Sequence, residues 1–199
     1  MVDAARLEDR LYDVVAFRAF LEARPADERW ELIEGIAVQS AAPRVAHHRI
    51  ASKFERHLNA ARRRLRPAWR VDREIGIEVS DTSRYRPEPE VTVIDAVTDT
   101  ERTFADRFYL VMEVPSANDR GRILEGKLGF YRTQSHNRFI LVADQDRLAV
   151  TLHQRVAAGS WASMTPMAPD DALVLNDLGP VCKVAGIYAD THIDPRRRP

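Results

Sequence analysis

The chain has 199 residues, 45% of them hydrophobic, which suits one domain, 1–199, with a buried core. Lys and Arg total 30, as do Asp and Glu, so the formal net charge is zero and global charge does not point to nucleic acid. No apolar run approaches the roughly 18 residues of a membrane span. The opening "MVDAARLEDR" lacks a signal peptide's apolar stretch, and the single cysteine, Cys182, excludes an internal disulfide or a cysteine-based zinc site. A reducing cytoplasm is the expected compartment.

Residues 12–23, "YDVVAFRAFLEA", place Val14, Phe17, Phe20 and Leu21 at helical spacing, and Pro25 follows the helix end. Residues 29–40 read as two short strands around Glu34-Gly35, a hairpin signal. Residues 42–66 form an amphipathic helix. Ile50, Phe54, Leu58, Ala61 and Leu65 make its apolar stripe, arginines take the outer face, and Pro67 closes it. From Arg44 to Arg73 only Glu55 and Asp72 oppose ten basic side chains, a local basic surface on a neutral chain.

Strands are expected at 69–80, 90–95 and 108–114. The last is nearly continuous in apolar residues, as in a central strand buried on both faces. A helix is expected over roughly 118–134, then strands at 138–144 and 147–154, and weaker ones near Trp161 and Leu173. The terminal "DPRRRP" reads as a frayed tail. The order predicts an α/β fold, a mixed central β-sheet flanked by helices.

Two charges are out of place in this pattern. Glu113 ends an apolar strand and shares its face with Tyr109 and Val111. Lys127 falls about 40° from Ile123 on the helical wheel, between Phe130 and Leu124 in the apolar arc. A buried ammonium or carboxylate is costly unless paired. Lys127 snorkelling to water and Glu113 at an open strand end are the alternatives. Pairing the two explains both anomalies at once. Glu90 follows Pro89 at the mouth of another strand. Carboxylates at adjacent strand ends with a nearby lysine suit a Mg²⁺-dependent hydrolase, where the ion activates water and the lysine stabilises developing charge.

Several motifs then join. "WELIEGIAV", "SAAPRVAHHRI", "EPEVTVI" and "LVMEVPSANDRGRILEGKLGFYRTQSHNRFILVAD" resemble, in order, the motifs of the Uma family of candidate restriction endonucleases, part of the PD-(D/E)xK nuclease superfamily. The resemblance covers about residues 28 to 150, leaving the N-terminal helix and C-terminal strands as decoration. It implies a restriction-endonuclease-like fold and Mg²⁺- or Mn²⁺-dependent hydrolysis of DNA. Glu90 stands at the motif aspartate, Glu113 at the glutamate and Lys127 at the lysine. Glu31 is an additional site acid, the Val114 carbonyl a further metal contact, and His47 the histidine before the basic helix. Most of the superfamily carries the lysine two residues after the glutamate; that slot is Pro115 here. The chain also departs from the family in Glu90 for aspartate, in Ala117-Asn118-Asp119 after Ser116, in Ile123 for a helix aspartate and in Ile140 for tryptophan.

His47, Arg49, Arg62 and Arg63 are the candidate nucleic-acid contacts, with a solvated face as the alternative for the arginines. His47, His48 and His57 lack the spacing of a tight metal site. Ser116 has no evident histidine partner, and no glycine-rich phosphate loop is present. A homodimer would let two sites cut two strands. The rival reading is a catalytically silent nucleic-acid- or protein-binding module on the same fold.

Overall fold

A computed structural model of the chain describes residues 7–40, 42–81, 83–96, 101, 103–116, 121–156, 159–165 and 168–196. The motif residues 117–119, the first six residues, the start of the helix expected from 118 and the last three residues of the tail lie outside this set.

The elements run β1 (Leu7–Leu11), α1 (Val14–Glu22), β2 (Trp30–Ile33), β3 (Ile36–Gln39), α2 (Val45–Leu65), β4 (Trp69–Asp72), β5 (Gly76–Ile77), β6 (Val91–Asp95), β7 (Phe104–Ala105), β8 (Leu110–Glu113), α3 (Arg122–Thr133), β9 (Phe139–Ala143), β10 (Val150–Arg155), β11 (Trp161–Met164), β12 (Ala172–Leu175), β13 (Gly179–Lys183) and α4 (Val184–Ile187). A six-stranded sheet has the order β11-β10-β9-β8-β6-β4. Within this sheet β8 and β9, joined by α3, pair in parallel and the other described neighbours are antiparallel, so the central sheet is mixed as expected. A second sheet, β1-β3-β2, packs on α1 through Phe17, Trp30 and Leu32. Its β2–β3 hairpin turns at Glu34 and Gly35, both at positive φ, with Ile33 facing Ile36 across a two-residue loop.

The sheet separates two cores. Leu110 and Met112 face α2, whose Ile50, Phe54, Leu58 and Ala61 are buried there. Val111 faces α3, with Phe130 and Tyr131. The period-2 alternation of β8 therefore aims Glu113 at α3.

Three sequence expectations need correction. Leu65 is 50% exposed and lies outside the apolar stripe, because α2 ends there. The strand expected over 69–80 breaks after Asp72, where Glu74 adopts positive φ, and resumes as β5, paired with β7 in a separate two-stranded sheet. Tyr109 precedes β8 and stacks on Trp69, so it does not share Glu113's environment.

Candidate active site

β8 presents Glu113, and α3 presents Lys127 and Tyr131 one turn apart on one face. Glu113 is 2% exposed and Lys127 5%, which removes both the snorkelling and the open-edge alternatives. Lys127 Nζ lies 3.1 Å from Glu113 Oε2 and 2.8 Å from Glu31 Oε1. The Tyr131 hydroxyl donates to Glu113 Oε1 at 2.6 Å. Glu31 enters from β2 because α3 runs close to that strand. A Cβ on Gly126 would sit 3.1 Å from Ile33 Cγ2, so glycine permits the approach. The other end of α3 is clamped by Arg155, whose guanidinium donates to the Arg132, Gln134 and Asn137 carbonyls. Helix ends leave such carbonyls without intrahelical partners, and the clamp holds α3 along its axis.

Glu90 closes the cluster from the start of β6. Its Oε2 accepts the Val114 N–H at 2.8 Å, and its Oε1 lies 3.2 Å from His47 Nε2 in the first turn of α2. Glu31 Oε1 also accepts the Glu88 N–H at 2.6 Å. Glu90, Glu113, Lys127, Glu31 and His47 thus meet at the ends of β6 and β8. Val114 joins them through its amide, while its side chain is buried in the core under α2. Tyr131 and the Glu88 amide were not singled out as site groups from sequence. The four-residue step from Lys127 to Tyr131 was the available signal for the first; a backbone donor leaves none. Buried Gln145 donates to the Pro115 carbonyl at 3.2 Å, while its Oε1 has no hydrogen-bond partner among the described residues.

Three carboxylates share one ammonium here. Burial pushes Glu113 up to about 8; Lys127 opposes the shift, and Glu90 and Glu31 add to it by repulsion. Burial also raises Glu31, against the pull of Lys127. Burial works against charge on Lys127, but Glu113, Glu31 and Glu90 outweigh it and hold the ammonium above its ordinary value. Burial disfavours a charged Glu90 too, yet His47, Lys127 and the Val114 N–H bring its carboxyl below the usual range. Glu90 and Glu113 have therefore been driven in opposite directions.

The arginines fall elsewhere. Arg62 and Arg63 occupy the last turn of α2, about 22 Å along the helix from His47 at 1.5 Å per residue. Arg62 donates to Asn59 and to the Trp69 carbonyl, and so fastens α2 to β4. Arg49 donates to the Asp190 carbonyl, and Arg63 is exposed.

Among the described residues, no three of His, Cys, Asp and Glu form a ready metal-holding group. The donor set nevertheless suits a hard divalent ion. Mg²⁺ takes one or two carboxylates and keeps waters. Glu90 and Glu113 are hard-oxygen donors that meet in a buried cluster, where burial first and then repulsion from Glu90 and Glu31 raise the Glu113 carboxyl. Both oxygens of each already have a protein partner, so an ion would share them.

No curated protein matches the chain significantly. Among solved structures, one from Anabaena variabilis ATCC 29413, described as "a putative nuclease belonging to DUF820", superposes with a TM-score of 0.63. It shares 16% identity, over 85% of this chain and 94% of that one, a likeness of fold. The fold is α/β and restriction-endonuclease-like. No described helix is long and apolar enough to cross a membrane. The profile of the Uma2 family, described as "Putative restriction endonuclease", matches residues 16–184, reaching beyond the 28–150 of the motifs to take in most of α1 and the C-terminal strands. The chain belongs to the Uma2 family.

Proposed function

We propose that the protein is a Mg²⁺- or Mn²⁺-dependent endonuclease that hydrolyses DNA phosphodiester bonds. Glu90 and Glu113 would hold the ion, with the Val114 carbonyl beside them. When bound, the ion lowers the pKa of a coordinated water and neutralises charge on the scissile phosphate. Lys127 supplies a fixed positive charge. Its raised pKa keeps it protonated, so its task is to stabilise developing negative charge and orient water rather than to abstract a proton. Glu31 aims the ammonium, and Tyr131 fixes the Glu113 carboxylate. The observation that carries the reading is the meeting of Glu90, Glu113 and Lys127 at adjacent strand ends, in a chain of this family. Cutting both strands of a duplex calls for two such sites, so a homodimer is the working assembly. His47 and Arg49, at the site end of α2, are the better-placed contacts for the DNA backbone.

One observation favours a second reading, a silent binding module. Every carboxylate oxygen of Glu90 and Glu113 is satisfied within the protein. Calorimetric titration separates the two. The endonuclease reading expects Mg²⁺ or Mn²⁺ binding that is lost in Glu113→Ala. A folded wild-type protein that binds neither ion supports the silent module.

A further inference from the structure

A second group of buried charges lies beside the site. Arg86 and Glu78 are 7% and 4% exposed. Arg86 Nε donates to Glu78 Oε1 at 2.6 Å, and its Nη1 donates to Glu88 Oε1 at 2.8 Å. One guanidinium thus bridges two carboxylates in directions only a planar fork offers. Glu78 is held from its other side by Arg18 of α1, which also pairs with exposed Asp81. The Arg86 backbone pairs with Leu32, donating to its carbonyl at 2.8 Å and accepting its N–H at 3.2 Å. The stretch around Arg86 therefore lies against β2. The space for the guanidinium depends on Gly76, where a Cβ would stand 3.0 Å from Arg86 Cζ.

Among the described residues, the polar partners of Lys127 and Glu113 are Glu31, Tyr131 and each other, not these groups, yet the segment these groups hold carries the site. Glu88, gripped by Arg86, turns its N–H to Glu31. Two residues later, Glu90 reaches the Val114 N–H and His47. A drift of this segment would take away the Glu88 donor from Glu31 and move Glu90 along β6. Both acids would shift relative to an ammonium that α3 holds in place.

We propose that Arg86 is a positioning residue of the candidate site, holding residues 86–90 so that the Glu88 amide reaches Glu31 and Glu90 reaches Val114. Its effect on metal binding rests on the endonuclease reading; its effect on the cluster's geometry does not. The test reads that geometry directly. A buried, ion-paired lysine exchanges its ammonium protons slowly, so ¹⁵N-lysine labelling reports the Lys127 Nζ resonance, assigned by its loss in Lys127→Met. Arg86→Lys keeps the charge but cannot bridge both carboxylates. Glu88→Gln loosens the same grip by a milder change and serves alone if Arg86→Lys does not fold. Arg18→Met removes a cation from Glu78 without touching Glu88. The proposal expects the Lys127 resonance to shift or broaden in Arg86→Lys and Glu88→Gln and to stay in place in Arg18→Met. An unmoved resonance in every folded variant overturns it, as does an equal shift in all three, which would mark a general loosening. If the wild type binds Mn²⁺, Arg86→Lys should weaken that binding on the order of tenfold or more, as for other residues that orient ligands. A wild type that binds no metal refutes the endonuclease reading while the resonance still decides the role of Arg86.

Discussion

Replacing Lys127 with methionine removes the one ammonium that Glu31 and Glu113 contact and leaves their carboxylates buried beside Glu90. Methionine fills much of the same volume, so the loss is chiefly electrostatic. Removing one partner of a buried ion pair costs about 3–5 kcal/mol. Against a total stability of about 5–15 kcal/mol, such a loss is plain in a denaturation curve. The carboxyls can escape part of the cost by taking up protons. Glu113 already titrates near 8 with Lys127 present, and without it each of the three would hold its proton to higher pH. A carboxyl whose folded pKa lies above its unfolded value binds more protons folded than unfolded in that window. Stability then falls as pH rises from the unfolded value through the folded one. Urea unfolding at about pH 8.5 should therefore show the full loss of about 3–5 kcal/mol, shrinking to about 1–2 kcal/mol near pH 5.5. Equal stability of variant and wild type at both pH values would refute the reasoning, because the carboxylates would then have no need of the ammonium.

Glu113→Gln removes the group raised to about 8, so the fall in stability between the ordinary 4.5 and 8, at most about 1.4 kcal/mol per pH unit, should flatten in urea titrations across that range; an unchanged slope would assign the effect to another residue. Gly76→Ala should cost about 1–3 kcal/mol by thermal melting, since the Arg86 guanidinium it meets is buried and tied to two glutamates and has nowhere to move. Arg62→Ala should lose about 1 kcal/mol with its bonds to Asn59 and Trp69, whereas exposed Arg63→Ala should stay within about 0.5 kcal/mol, and the reverse order would contradict the packing of α2.

Much of the site was legible because its signals are local. An inward lysine on a helical wheel and a glutamate at the end of an apolar strand each break a pattern, and the breakage is what makes them visible. The strand–helix–strand order around them already implied that α3 packs back over β8. Other parts depend on contacts distant in sequence. Glu78 and Arg86 read as ordinary polar residues until folding buries them against each other and Glu88. β1 pairs with β3 around the whole of α1, and β5 with β7 across a long excursion, so short stretches such as "GI" and "FA" carry no period of their own. The turn at Glu74 escaped because the alternation of residues 69–80 continues across it; a non-glycine residue at positive φ has no sequence mark there. The arginines of α2 show another limit of a local signal. A run of like charge suggested one ligand-facing surface, but Arg49 and Arg62 are engaged by carbonyls of the protein itself.

The central claim is that the Glu90–Glu113–Lys127 cluster cuts phosphodiester bonds with a divalent ion. Incubation of purified protein with supercoiled plasmid DNA and Mg²⁺ or Mn²⁺ tests it most directly. The account predicts nicked or linear DNA from the wild type, abolished by chelation and by Glu113→Ala in a variant shown to be folded. Intact plasmid under every metal condition, or cleavage that survives in Glu113→Ala, would contradict it.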